Sequence, residues 1–544
     1  MRLPAITPQI KYNQVLKTTT LRGFSGGLNV LDDDMNLEYK YATRSVNVAA
    51  DTDGTMRVRY GTRLFSAVPQ PIINMEYFNG SLIVVCANGT IYAVFADSTS
   101  SLLWSAWGAT DFASFAQFDG QMIVCNGLNK PVTISNLFVA TYLQDLATLT
   151  NINVPVCKYV VTNGRYLVMA GDPLFPERVH ISCRDAPGTW YGDPPPNDAV
   201  RQDVGSILAN ATTLRGLLSF RDKLLVLYAE GIIVGTLGIY GIVPPATVST
   251  HNPTFNDAID KFGCVAHRAA VARGDDGLFM DLQGVPSIKR SVLNTSLKPE
   301  RASAFIDPAI TRWVATLNFL TLSDRVFAVY DSKEGKYLLC IPNSNTLAAT
   351  TETPIFVYSY RPSLRQDSWA EFRGWNFTCG ATSLQGNIFF GDRIGNIWVY
   401  GTRDNPTYKD FIDDYHSVGA NPGVPIVFDW ETPWLDMGAR AAIKNNKFIS
   451  MDTRGPAVFT MSMYVDNITS APQLQMTLSG GEQGPFVNPP GGAVSVMARP
   501  TSYKKQIAWP TKYTIAKLRA QGSTTTALSF VAITMHYLQG GINR

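Results

Sequence analysis

The stretch FNGSLIVVCANGTIYAVFA, at 78–96, places an apolar run, an Asn-Gly pair and a second apolar run in succession. Val, Ile and Tyr favour strands, and Asn-Gly tolerates the positive φ angles of a tight hairpin turn. The stretch alone therefore predicts one β-hairpin, with a turn at Asn88-Gly89. A similar arrangement returns at 118–135 as FDGQMIVCNGLNKPVTIS, so the extent of the repetition decides the fold.

The hairpin pattern occurs seven times in the middle of the chain. Its copies begin at residues 78, 118, 162, 220, 273, 323 and 384, which leaves room for further strands between them. Candidates for those strands are SLLWSAW (101–107), SFAQF (114–118), KYVVT (158–162), HRAAVAR (267–273) and PIFVYSY (354–360). Four strands in each repeat of about 40–50 residues is the arrangement of a β-propeller blade.

The sequence therefore predicts an all-β fold with a central β-propeller of six to eight blades. A large β-sandwich is the first alternative, but it would not repeat one hairpin seven times. A β-helix is the second alternative, and its repeat would be much shorter. An isolated hairpin is marginally stable in water, so neighbouring blades are expected to bury each other's faces.

The two ends of the chain lack the hairpin pattern. Alternation of apolar and polar residues in the last part, as in AVFTMSMYVDN (457–467), predicts half-buried antiparallel strands of a β-sandwich-like domain. We expect an N-terminal segment at 1–65, a propeller at 66–410 and a C-terminal domain at 411–544. The N-terminal segment is expected to join the C-terminal domain in one platform.

Composition narrows the class of protein. Charged residues make up 16% of the 544 residues, against about 25% in ordinary globular proteins, which suits a protein of strands and turns. The net charge of +3 gives no overall attraction to nucleic acid or to a membrane surface. The seven cysteines contain no Cys-x-x-Cys pair, which favours buried thiols in a reducing compartment. The N-terminus has no signal-peptide pattern, and the apolar stretch at 224–243 is interrupted by Glu230.

Residues that could carry chemistry are sparse. None of the five histidines, at 180, 251, 267, 416 and 536, pairs with another at metal-ligand spacing, and no nucleophile or phosphate-binding motif occurs. The sequence therefore predicts no enzyme activity, no catalytic, cofactor-binding or metal-binding residue, and no cofactor. Asp32–Asp34 could bind a cation but is better explained as a solvated turn.

Two further segments are better explained as turns than as sites. ADTDGTMRV (50–58) begins like a calcium loop, but it lacks the distal glutamate, which favours a strand-to-strand turn at Gly54. SCRDAPGTWYGD (182–193) is similar to the Asp-box turn of sialidase propellers, in which that turn is structural. The Pro-rich loops 183–210 and 245–262 are candidates for narrowing a channel or for contacting partner proteins.

The segment at 24–65 contains the most distinctive motifs. They are Gly26-Gly27-Leu28-Asn29, then ATRSVN at 42–47, Asp53-Gly54, and RVRYG at 57–61. This segment resembles the opening of the tail nozzle family of short-tailed bacteriophages, also called tail tubular protein B or packaged-DNA stabilisation protein. The segment FVAITMHYLQGGINR (530–544) is similar to the end of the same family. Tyr60 is a departure, because many relatives carry proline there.

The resemblance implies a structural protein of the virion tail, assembled in the bacterial host cytoplasm. Members of the family form a homohexameric ring that attaches below the portal adaptor, retains packaged DNA and conducts it during ejection. The implied partners are further copies of the chain, the tail adaptor protein, tail fibres or spikes, and viral DNA that passes without specific binding. No membrane span is expected.

Two alternatives come from other classes of protein. One is a glycan-binding or glycan-cleaving propeller acting in host receptor recognition, which predicts two carboxylates or an arginine cluster in the propeller funnel. The other is an unrelated intracellular scaffold propeller. The geometry at the centre of the propeller distinguishes the glycan-cleaving alternative from the other two.

Overall fold

A computed structural model describes most of the chain. The described residues are 15–51, 54–144, 152–192, 198–208, 213–237, 253–260, 262–273, 276–290, 297–318, 323–341, 354–361, 366–401, 412–413, 424–454, 457–470, 472, 474–480, 501–506, 513–525 and 528–542. Nearly all regular structure in them is β, with an α-helix at Asp307–Val314. No described helix is long and apolar enough to cross a membrane.

Seven antiparallel four-stranded blades form the middle of the described chain. Six of them are separate sheets, and the blade at 327–372 belongs to a twelve-stranded sheet. In order across each blade, the strands are Ile72–Phe78, Ser81–Cys86, Ile91–Val94 and Ser100–Trp104 in blade 1; Ser114–Phe118, Gln121–Cys125, Val132–Ile134 and Ala140–Tyr142 in blade 2; Tyr159–Asn163, Tyr166–Ala170, Arg178–Ile181 and Val200–Asp203 in blade 3; Leu214–Phe220, Lys223–Tyr228, Ile232–Thr236 and Thr254–Ile259 in blade 4; Val271–Arg273, Asp276–Leu278, Pro286–Arg290 and Leu297–Arg301 in blade 5; Phe327–Asp331, Lys336–Cys340, Ile355–Arg361 and Gln366–Phe372 in blade 6; and Phe377–Thr382, Ile388–Asp392, Asn396–Tyr400 and Thr62–Ala67 in blade 7.

These sheets close into a ring. The first-listed strand of each blade contacts the first-listed strand of the next, and the contact of Phe377–Thr382 with Ile72–Phe78 joins blade 7 to blade 1. Seven buried apolar clusters each contain residues of two neighbouring blades. Each sheet thus buries both faces against its neighbours, and the prediction of a β-propeller is confirmed.

The ring is closed by a strand that precedes the first blade. Thr62–Ala67 is the outer strand of blade 7 and pairs antiparallel with Asn396–Tyr400. The backbone N–H of Val68 donates to the carbonyl of Gly395 at 2.8 Å, and that of Gly401 donates to Gly61 at 3.0 Å. The propeller therefore runs from Thr62 to Tyr400, and position 66, where the sequence analysis begins the propeller, falls inside this strand.

The remaining strands form a β-sandwich from both ends of the chain. One sheet contains Val15–Arg22, Val48–Ala50, Met56–Val58, Ala442–Arg454, Thr501–Gln506 and Ser529–Ile542. The other contains Arg44–Val46, Ile412–Asp413, Val424–Glu431, Ala457–Val465, Leu474–Gly480 and Ala516–Thr524. Their facing side chains, among them Phe24, Trp430 and Phe530, form a single buried core. The predicted platform of N- and C-terminal segments is this sandwich.

Local details differ from the sequence expectations in two places. Most of the repeated hairpins are the second and third strands of a blade, but the copy at 323 forms the first and second strands of blade 6. In HRAAVAR, residues His267–Ala269 form a 3-10 turn and only Val271–Arg273 is a strand. Most of the linker at 404–416 and of the Gly/Pro-rich stretch at 479–495 lies outside the described residues.

Candidate functional site

The motifs at 26–61 lie where the propeller meets the sandwich, a region here called the joint. Gly27 pairs with Trp369 in the outer strand of blade 6. Its φ is +69°, and a Cβ there would lie 2.6 Å from the Trp369 carbonyl oxygen. Glycine is required because the backbones approach too closely for a side chain and the conformation is left-handed.

Asn47 connects both domains through its side-chain amide. It has a φ of +58°, which asparagine tolerates better than most residues. Its Nδ2 donates to the carbonyl of Val427 in the sandwich at 2.7 Å. Its Oδ1 accepts from Nε of Arg59 and from the backbone N–H of Arg373, both at 2.8 Å. One buried side chain therefore joins three separate segments of the chain.

Two arginines of RVRYG complete the joint. The guanidinium of Arg57 pairs with Glu334 at 2.5 Å and donates to the hydroxyl of Tyr60 at 2.7 Å. That of Arg59 stacks on Trp375, with Cζ 3.7 Å from the ring centroid. Burial acts to raise the pKa of Glu334, but the charges of Lys336 and Arg57 outweigh it and lower that pKa to about 2.

The joint also shares a sheet and a core between the domains. Arg44–Val46 lies between blade 6 and the sandwich, since Val46 pairs with Glu371 on one side and Asp429 on the other. Ala49 and Tyr60 belong to the apolar cluster between blades 6 and 7. The described residues of the family-like motifs therefore couple the two domains.

The centre of the propeller is a small cavity of about 250 Å³, lined by the innermost strands and by His267 and Arg268. Polar groups that line it are bound to neighbouring backbone. Nδ2 of Asn74 donates to the carbonyl of Ala113 at 2.8 Å, and Oγ of Ser114 donates to that of Lys158 at 2.7 Å. These hydrogen bonds hold blades 1, 2 and 3 to one another.

Arg268 reaches across this channel from the connection into blade 5. Its Nη1 donates to the carbonyl of Ile73 in blade 1 at 3.0 Å, and its Nη2 donates to that of Thr378 in blade 7 at 2.7 Å. The preceding His267 accepts at Nδ1 from the N–H of Leu217 in blade 4 at 3.3 Å, and burial lowers its pKa to about 4. The pair obstructs the axis of the ring.

Glu76 is the single carboxylate among the described residues that line the central cavity. One of its oxygens accepts from the backbone N–H of Tyr77 at 3.2 Å. Burial raises the pKa of Glu76 to about 7, and this hydrogen bond offsets only part of that effect. Glu76 therefore holds its proton to a higher pH than an exposed glutamate does.

A second cavity, of about 530 Å³, opens beside blade 3 and is here called the blade-3 pocket. Asp172 and His180 line it, together with Lys130, Arg178, Trp190 and other residues. Cys157 lies behind these two residues, and a ligand atom of each of the three is within 4.8 Å of those of the other two. Burial lowers the pKa of His180 against the raising effect of Asp172.

Sequence analysis did not single out this group. The spacing Cys-x14-Asp-x7-His matches no short metal motif, so its members come together only through the pairing of three strand ends. All seven cysteines are buried, and they form no disulfide in the described chain.

The acidic turn and the Asp-box-like segment have structural roles. The Asp34 carboxylate pairs with Lys517 at 2.6 Å, and Asp32 accepts from Nδ2 of Asn29 at 2.9 Å. In 182–192, the N–H of Cys183 donates to the carbonyl of Thr189 at 3.0 Å, and Trp190 packs between blades 2 and 3. Both segments are turns, as the sequence analysis predicts.

Other sequence features are accounted for in part. Gly54, with a φ of +88°, lies in the turn between Val48–Ala50 and Met56–Val58. His536 is 2.9 Å from the Thr18 hydroxyl, Nδ1 to Oγ1, whereas His251 and His416 lie outside the described residues. Parts of the loops 183–210 and 245–262, including 193–197 and 245–252, also lie outside them.

Known proteins share little sequence with this chain. No family model matches the chain, and no curated protein is similar to it. Among solved structures, the WD40 β-propeller domain of Doa1 is 9% identical and covers 63% of this chain and 98% of its own, with a TM-score of 0.38. A streptogramin B lyase is 9% identical and covers 63% and 97%, with a TM-score of 0.39. The seven-bladed assignment therefore rests on the strand pairing described above.

Proposed function

We propose that this chain is a structural protein of a short-tailed bacteriophage virion, a tail nozzle subunit that assembles into a ring, retains packaged DNA and conducts it during ejection. The proposal rests on the contacts made in the joint. The motifs that resemble the tail nozzle family, Gly27, Asn47, Arg57 and Arg59, all serve to fix the propeller to the sandwich. A ring that retains packaged DNA needs such rigid two-domain subunits.

The centre of the propeller supports a structural function over a glycan-cleaving one. Hydrolysis of a glycosidic bond uses a pair of carboxyl groups about 5–10 Å apart. In the described lining of the central cavity, Glu76 has no second carboxylate beside it. From the connection into blade 5, Arg268 reaches across the channel to backbone carbonyls of the neighbouring blades 1 and 7, which obstructs the funnel.

The same obstruction determines where DNA could pass. A polymer cannot traverse a propeller whose axis is crossed by Arg268. In the proposed ring the conduit therefore lies between subunits, around the symmetry axis of the assembly. Identical subunits around such an axis meet through two different surfaces of each copy. A net charge of +3 would add little resistance to sliding phosphates.

The test is to locate the protein in particles of the phage that encodes it. We expect quantitative mass spectrometry to find the chain in purified virions, and electron microscopy to show a six-fold ring on the tail axis below the portal adaptor. Purified protein should form rings or assemble on added adaptor. A protein that stays monomeric with the adaptor and is missing from virions would refute the proposal.

A further inference from the structure

We propose that Cys157, Asp172 and His180 form a binding site for a divalent transition-metal ion, Zn²⁺ foremost, with one coordination position open to the blade-3 pocket. The thiol sulfur, a carboxylate oxygen and an imidazole nitrogen lie within 4.8 Å of one another. Nothing in the proposed function requires this site, and the two proposals can fail independently.

Strand pairing brings the three residues together. In blade 3, Tyr159 pairs with Ala170, and the N–H of Lys158 donates to the carbonyl of Gly171 at 3.2 Å. Continuing that antiparallel register places Cys157 opposite Asp172. His180 lies in the next strand of the sheet, Arg178–Ile181. The ligand atoms are therefore held by a rigid sheet end, which is the support that a preformed metal site requires.

His180 and Asp172 are in contact through two atoms that can both bind a metal ion. Nε2 of His180 is 3.2 Å from Oδ2 of Asp172. The two groups are nevertheless not aligned as a hydrogen bond, so this buried nitrogen has no hydrogen-bond partner among the described residues. Both atoms lie within 4.8 Å of the Cys157 sulfur, so an ion in the space between the three atoms would contact all of them. A buried polar atom left in this way is costly unless a further partner occupies that space.

The other oxygen of Asp172 is already fixed. Oδ1 accepts from the backbone N–H of Leu174 at 2.8 Å, which orients the carboxylate and leaves Oδ2 available. The carbonyl of Cys157 accepts from the N–H of Gly127 at 3.1 Å, which positions the loop before blade 3. Such outer contacts hold the ligands of known metal sites in place.

The donor set selects the metal. One sulfur, one nitrogen and one oxygen ligand suit Zn²⁺, for which three protein ligands with an open fourth position are a recognised arrangement. Sulfur disfavours Mg²⁺ and Ca²⁺. Asp172 and His180 line the blade-3 pocket, so the open position faces the pocket and can hold water or a small ligand.

The cations around the pocket each have a partner of their own. Lys130 donates to the carbonyls of Ile152 and Val154, Arg178 pairs with Asp203 at 2.7 Å, and Arg201 stacks on Tyr191 at 4.1 Å. On binding, the Cys157 thiol gives up its proton. One divalent ion, one thiolate and one carboxylate then have a net charge of zero, whereas the empty site, with a neutral thiol and one carboxylate, has one negative charge.

The experiment is titration of the chelator-treated full chain with Co²⁺ as a spectroscopic probe, followed by displacement with Zn²⁺. We expect one Co²⁺ per chain, a sulfur-to-cobalt charge-transfer band, visible bands of four-coordinate intensity, and loss of both on adding Zn²⁺. Cys157→Ser should abolish the charge-transfer band. Asp172→Asn and His180→Ala should each weaken binding at least about tenfold.

Matched substitutions outside the cluster control for general damage. Cys86→Ala, in the core between blades 7 and 1, and His536→Ala, in the sandwich, should leave the Co²⁺ spectrum and affinity unchanged. Near-ultraviolet circular dichroism checks folding, and if Cys157→Ser does not fold, the two other ligand variants decide. A charge-transfer band retained in the Cys157 variant, or no saturable Co²⁺ binding to the folded wild-type chain, would overturn the proposal.

Discussion

The side chain of Asn47 holds three parts of the chain together in the joint. Its amide binds Val427, Arg59 and Arg373, which belong to three different parts of the chain. The sequence analysis includes Asn47 in a motif through a family resemblance, but it could not assign those partners. They lie 12 to 380 residues away along the chain, and no local pattern encodes such contacts.

We expect Asn47→Ala to lower the free energy of unfolding by about 3 kcal/mol, because each buried partner left unsatisfied costs about 1–3 kcal/mol. Urea unfolding measures the change. Asn79→Ala is the matched control, since Asn79 also has a positive φ, +44°, but is exposed and makes one hydrogen bond, to the Asn136 carbonyl. Equal losses in both variants would show that backbone strain, and not the amide, explains the effect.

Glu76 predicts a pH dependence of stability. Its pKa is raised from 4.5 in the unfolded chain to about 7 in the folded one. Its contribution is therefore fully present below about pH 4.5 and is lost as the pH rises towards 7. We expect Glu76→Gln to melt like the wild type at pH 4.5 and at a higher temperature than the wild type at pH 8. A difference that does not change with pH would contradict this assignment.

Glu334 gives a pH dependence of stability with the opposite sign, which serves as a comparison. Its pKa is lowered from 4.5 to about 2, so its contribution is present above about pH 4.5 and is lost as the pH falls through 2. We expect Glu334→Gln to be less stable than the wild type at pH 7 and to approach it at pH 2. Thermal melts across this range measure both carboxyl groups under the same conditions.

At the scale of elements, the sequence predicted the hairpins well and the closure of the ring not at all. The blade turns are formed by residues next to each other, such as Asn79-Gly80 and Asp119-Gly120 with positive φ, so their signal is local. Strand Thr62–Ala67 has its partner in Asn396–Tyr400. Nothing in the six residues of that strand indicates so distant a partner, and for that reason the predicted boundary at 66 divides it.

Substitution of Gly395 tests how the strand Thr62–Ala67 closes the propeller ring. Its φ is +101°, and a Cβ there would lie 2.1 Å from the carbonyl oxygen of Val68, at the end of the closing strand. Gly80 has a φ of +84° with no atom within 4 Å of a Cβ. Both alanine variants incur left-handed strain of about 1–2 kcal/mol, and we expect Gly395→Ala to lose at least about 2 kcal/mol more in urea unfolding. Equal losses would mean that the closing contact adjusts freely.

At the scale of the molecule, the joint makes two domains behave as one body. The shared sheet through Arg44–Val46 and the shared core with Ala49 and Tyr60 would be broken if either domain unfolded, so the stability of each domain depends on the other. Sequence analysis predicted both domains, because alternation and repeats are visible in the chain. It could not predict their coupling or the approach of Cys157, Asp172 and His180, since both arise from the assembled fold.

We expect the wild-type chain to unfold in one calorimetric transition. The double substitution Arg57→Ala with Arg59→Ala should separate it into two, because it removes the Glu334 ion pair and the stacking on Trp375. Arg165→Ala is the control, since that arginine forms an exposed pair with Asp185, and such pairs contribute at most about 1 kcal/mol. Two resolved transitions in the wild type would refute coupling through the joint.

The position of the closing strand has a consequence for biosynthesis. Thr62–Ala67 leaves the ribosome before any blade, yet its partner Asn396–Tyr400 emerges only after all the intervening strands. Likewise, Val15–Arg22 awaits Ser529–Ile542. The propeller therefore keeps an unpaired strand edge until residue 400 has emerged, and the sandwich keeps one until its last strand has emerged. A chain terminated before Asn396 can complete neither domain. Such edges invite aggregation or proteolysis, so incomplete subunits would be removed before they could enter an assembly.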